Sequence, residues 1–149
     1  MPHLSRAARA FALLALVAAA ALLPGCSHKG PPFVEQGSTY TTQTVDAVYD
    51  RADVSKLANV SVDKADALRH DALTGLRSRG TNGATVADLI TKTLQSEQRA
   101  VPIYVELATV SGKHAVVLVE AVGKPGGTLD RKRLWVFDEG GNVIYAGSR

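Results

Sequence analysis

Cysteine is almost missing from this chain: Cys26 is the only one in 149 residues. One thiol excludes an internal disulfide and a multi-thiolate metal site. Acid is missing from the first 34 residues, where Arg6 and Arg9 stand without a counter-charge before Glu35. G-x-S-x-G, H-E-x-x-H and paired C-x-x-C are missing too. With them go the sequence marks of a serine hydrolase elbow, a zincin and a thiol redox pair. "GKPGG" carries glycines and a lysine without Walker spacing, and it joins two strands where a phosphate loop leads into a helix.

What is there begins with an address. Phe11 to Leu23 is an apolar run of about 13 residues, in the range of a signal h-region and short of the roughly 20 that span a bilayer. Pro24 and Gly25 break it just before the cysteine. Leu23-Pro24-Gly25-Cys26 resembles the lipobox of bacterial lipoproteins: an aliphatic residue, a tolerant position, a small residue and the essential Cys. The resemblance implies a diacylglycerol thioether on Cys26, cleavage after Gly25 and acylation of the new amine with palmitate-type chains. Two or three chains anchor stably where one is marginal. The implied location is the extracytoplasmic face of the cell membrane, or the periplasmic face of the outer membrane in a two-membrane cell. Removing residues 1–25 takes two of the 17 basic residues and none of the 14 acids, which leaves a net charge of +1. That balance speaks against nucleic acid as a partner. The implied partners are the membrane, through Cys26, and another envelope protein.

Residues 26–44 are rich in Gly, Pro, Ser and Thr and read as a flexible tether spanning some 20–25 Å, with Thr39–Thr44 able to pair as an edge strand. Residues 45–149 read as a single small domain. Val45, Val48, Tyr49 and Ala52 have helical spacing in a short, acid-rich weak helix or packed turn. A first helix is expected from a cap at Ser61 or Asp63 to Gly80. "RGTNG" reads as a turn, and a second helix is expected from the Thr85–Asp88 capping box to near Glu97–Arg99. From Val101 the apolar period changes from 3.6 to 2, and strands are expected over 101–110, 114–122, 133–138 and 143–146. The expected fold is α+β: two helices, then a four-stranded antiparallel meander with the helices on one sheet face.

Few side chains suggest chemistry. His70 and Asp71 are adjacent on a helix and point about 100° apart, so they form no dyad. His114 reads as a hairpin-end residue. Glu106 and Glu120 are expected near each other across the first hairpin, as paired carboxylates or surface partners of lysines. "DEGGN", Asp138 to Asn142, lacks the alternating ligands of a calcium loop and reads as a turn. No catalytic residue, metal ligand or cofactor is assigned. An open sheet face would collect Tyr104, Trp135, Phe137 and Tyr145 as an interaction surface; the competing reading puts Trp135 and Phe137 in the core under the helices. The favoured function is a membrane-tethered, non-catalytic binding module, whose order of elements looks like that of small envelope-assembly lipoproteins and β-lactamase-inhibitor-like domains. The alternatives are a cystatin- or NTF2-like domain with a small-ligand or lipid pocket between sheet and helices, and a small envelope hydrolase.

Overall fold

The long strands form where apolar side chains alternate, and the chain reverses where glycine allows it. The computed structural model describes residues 30–96 and 99–149. The expected signal peptide and Cys26 lie outside the described residues, as do Glu97 and Gln98 at the expected end of the second helix.

Among the described residues six strands and two α-helices follow in the order β1 (Phe33–Val34), β2 (Thr39–Tyr40), α1 (Ala65–Arg77), α2 (Gly80–Thr93), β3 (Val101–Val110), β4 (Lys113–Val122), β5 (Arg131–Asp138) and β6 (Val143–Ser148). Short 3-10 helices at Val45–Arg51 and Val62–Lys64 lie between β2 and α1. Strands β3 to β6 pair antiparallel in sequence order, while β1 and β2 both pair parallel to the outer edge of β3. The fold is α+β with a mixed six-stranded sheet, wider than the four-stranded meander expected. Residues 33–40, assigned above to a flexible tether, are bound to the sheet, and of the edge strand considered at Thr39–Thr44 the part Thr39–Tyr40 forms. Phe33 registers with Val105 and Tyr40 with Val110, and Gly37 N–H donates to Leu107 O at 2.9 Å.

The α2 boundary differs for a packing reason. The turn expected at "RGTNG" is the first turn of α2, which starts at Gly80. A Cβ at Gly83 would collide with the carbonyl oxygen of Leu76, so glycine lets α2 approach the end of α1. Asp88, read as a capping-box acid, instead takes Arg77 at 3.0 Å.

Both sheet faces are covered. On one, α1 and α2 place Leu73, Leu76, Val86, Ala87 and Ile90 over Val105, Leu118 and Phe137. On the other, Val45, Val48, Tyr49, Ala52 and Val62 cover Val117, Val119, Leu134 and Val136. The expected open face is thus closed by the segment 45–62. Among the described residues no helix is long and apolar enough to cross a membrane.

Candidate functional site

The four aromatic residues do not share a surface. Phe137 is fully buried under the helices, and the half-buried Trp135 stacks on it with ring centroids 6.3 Å apart. Tyr104 and Tyr145 pack with the other cluster, Tyr104 buried and Tyr145 partly so. A strand sends alternate side chains to opposite faces, and both faces have a cover.

The same alternation separates the two glutamates. Glu106 is directly opposite Val117 in the β3–β4 register, and Val117 lies three residues from Glu120 on β4, so the carboxylates point to opposite faces. Each is fully buried and held by donors. Glu106 accepts from Ser38 N–H at 2.6 Å, from Tyr104 OH at 2.9 Å, from Tyr40 OH at 3.2 Å and from Arg51 Nη1 at 3.3 Å. Glu120 accepts from Arg69 Nη1 at 2.7 Å, Trp135 Nε1 at 2.9 Å and Arg133 Nη2 at 3.3 Å. Arg69 also donates to Ala100 O at 2.9 Å. Their lone pairs are taken by groups that fasten β2, the 45–51 segment and α1 to the sheet. These are fastenings of the fold, not an acid–base pair.

The phenols on the Glu106 side of the sheet, two of them bonded to Glu106, have raised titration ranges. Burial pushes Tyr40, Tyr49 and Tyr104 above the usual tyrosine range, and the hydrogen bond to Asp46 at 2.7 Å raises Tyr145. These four are all the tyrosines of the chain. The folded protein therefore keeps phenolic protons that the unfolded chain gives up near pH 10. Their stabilising contribution is full below about pH 10 and is lost as pH rises through the folded values. The phenolate rise at 295 nm should come at higher pH in the folded protein than in the urea-unfolded chain. A reversible titration of all four near pH 10 with the fold intact would contradict this placement.

The histidines stand apart. His70 is exposed on α1 beside Arg69 and Asp66 in a shallow hollow closed by Thr91, Leu94 and Gln95 of the α2 end. His114 is exposed at the start of β4, opposite Thr109. Asp138 accepts from Asn142 N–H at 2.8 Å and from its Nδ2 at 2.9 Å, which makes "DEGGN" a turn closed by Asn142. Those bonds hold the Asp138 carboxyl below the ordinary carboxylate range. Among the described residues no group of three His, Cys, Asp or Glu side chains could hold a metal.

A concave surface does exist, and element lengths create it. Strands β3 and β4 have ten residues each, about 33 Å. Helices α1 and α2 have 13 and 14 residues, about 20 Å. The helices cover Val105, Leu118 and Phe137 and cover the hairpin end of the same face only in part. There Leu107 and Val116 are only partly buried. One hollow of about 400 Å³ lies between the β1–β2 loop (Glu35, Gln36, Gly37) and Glu139, with His114 at its end. A second, of about 200 Å³, shares Leu107, Val116 and Glu139 and is walled by Asn82, Thr85, Val86 and Leu89 of α2. Together they form a groove with an apolar floor. Its walls are fixed: Gly37 is hydrogen-bonded to β3, and Asn82 Nδ2 donates to Glu35 at 3.1 Å. Glu35, Leu107, Val116 and Glu139 were not singled out from the sequence as site residues, and only the mismatch of element lengths brings them together.

Comparison of the chain with protein-family models, with curated proteins and with solved structures gives no match in any of the three.

Proposed function

We propose that this protein is a lipid-anchored, extracytoplasmic bacterial lipoprotein that works as a non-catalytic binding module, taking a segment of another envelope protein into the groove at the hairpin end of its sheet. The observation that carries the reading is the partly exposed floor of Leu107 and Val116 between ordered walls, one of them carrying Leu89. Binding sites are concave, largely apolar and preformed. The lipobox resemblance at Leu23-Pro24-Gly25-Cys26 supplies the anchor. Pro31 is already buried, so four residues, or five Cα-to-Cα steps, separate it from Cys26, a reach of at most about 18 Å. An anchored domain would sit close against the bilayer, nearer than a tether running to residue 44 would hold it.

The space between sheet and helices is filled by Leu73, Leu76, Ile90, Leu118 and Phe137. That weighs against the small-ligand alternative and leaves the groove as the place for a partner.

Two measurements test the reading. Intact mass of the native protein from detergent-extracted membranes should give a chain starting at Cys26 with added acyl mass, absent from a Cys26→Ser version. A photo-crosslinking residue at Val116, activated in intact cells, should attach to one protein segment, and Leu107→Glu should abolish the product. An unacylated chain sinks the anchor; cross-links to solvent alone sink the groove.

A further inference from the structure

The ionisable side chains that line the groove are Glu35, Asp138, Glu139 and His114; no Lys or Arg lines it among the described residues. Lys113, at the start of β4, is close enough for its charge to act on Asp138. Three carboxylates thus border an apolar floor, and Glu35 and Glu139 are exposed. Their positions follow from the sheet order. Glu35 comes directly after β1 and Glu139 directly after β5, both at the hairpin end. The order β1-β3-β4-β5 puts three strand spacings between them, about 14 Å measured across the strands.

We infer that the groove selects a protein segment with two cationic side chains bracketing apolar ones, the cations meeting Glu35 and Glu139 and the apolar residues lying on Leu107 and Val116. An extended chain covers about 14 Å in four residues. The matching segment therefore carries Lys or Arg at positions i and i+4 with two or three apolar residues between them. Charge complementarity also chooses the class of partner. A carboxylate rim repels an anionic headgroup surface, so the groove favours a basic, apolar polypeptide over the bilayer. This inference rests on the groove being a binding site, as proposed above.

The test uses the full chain in a non-ionic detergent. The probes are a fluorescent pentapeptide with the sequence lysine, leucine, valine, leucine, lysine, and the same peptide with glutamate at both ends. Fluorescence anisotropy should show the lysine-ended peptide binding at least tenfold more tightly. Glu35→Gln with Glu139→Gln should reduce that preference to within about threefold, and added salt should weaken it. Equal binding of both peptides overturns the charge inference, as does an unchanged preference in the double variant. Val116→Lys separates the two proposals. If it abolishes binding of both peptides while Glu35→Gln/Glu139→Gln changes nothing, the groove stands and the rim inference fails. If neither peptide binds at millimolar concentration, both fail. Circular dichroism of each variant excludes misfolding, since all three positions are at least partly exposed.

Discussion

Glu106→Ala should cost about 3–5 kcal/mol of folding stability, because it strands several donors that the carboxylate now satisfies, and should loosen β2 before the rest of the sheet. The carboxylate is fully buried and satisfies Ser38 N–H and the hydroxyls of Tyr40 and Tyr104. Alanine removes the acceptor and leaves those donors in a site from which water is excluded, each a penalty of about 1–3 kcal/mol where no new partner is found. Arg51 suffers less, because its side chain is 45% exposed and water can replace the lost contact. Glu106→Gln keeps one acceptor oxygen and should cost less than alanine. Urea denaturation followed by circular dichroism measures both. Hydrogen exchange at Ser111 N–H, bonded to Tyr40 O at 2.8 Å, reports β2 directly. An alanine variant within 1 kcal/mol of the parent, with Ser111 still protected, would show that the carboxylate fastens nothing.

That fastening explains how far the sequence could be read. The strands from Val101 onward are legible because period-2 patterning and turn residues agree: Ser111-Gly112 and Gly141 take the positive φ that tight reversals need. The first helix is legible from its apolar stripe, but Ser61, whose hydroxyl accepts from Asp63 N–H at 3.2 Å, caps the short 3-10 helix at Val62–Lys64 and not α1, which has no side-chain cap. Strands β1 and β2 are another matter. Each has two residues in a Gly-, Pro- and Thr-rich stretch, and no periodicity can be read from two residues. Their pairing is decided by the open edge of β3 and by Gly37, where a Cβ would collide with Glu106 and Leu107. Gly83 deceives in the same way, since its role is an interhelical approach that only packing reveals. The carboxylates follow suit. Alternation places Glu106 on the face of Tyr104 and Ala108, but not the cover that segment 45–62 lays over it. The groove is hidden furthest, because it arises where two helices are shorter than the strands beneath them.

The second carboxylate gives a sharper test, because its partner is buried too. Glu120→Gln should destabilise the fold by about 3–5 kcal/mol. The Arg69 side chain is 7% exposed and lies 2.7 Å from Glu120. A neutral glutamine leaves that guanidinium in the interior without its counter-charge, and its remaining contacts, Ala100 O at 2.9 Å and Leu94 O at 3.5 Å, carry only partial charge. A folded protein with typically 5–15 kcal/mol in hand loses much of its margin to such a change. The cause is a stranded cation, so removing the cation as well should return part of the loss. Arg69→Met fills similar apolar volume without charge, and the pair Arg69→Met with Glu120→Gln should be less destabilised than the sum of the two single variants by 1 kcal/mol or more. Recovery should stay incomplete. Ala100 O and Leu94 O lose their donor where the chain passes from α2 to β3, and Trp135 Nε1 depends on the oxygen that remains at position 120. Urea midpoints of the four proteins, at constant m, give the coupling directly. Strict additivity would mean that α1 is held to the sheet by its apolar contacts alone, and that Arg69 and Glu120 are neighbours without being partners.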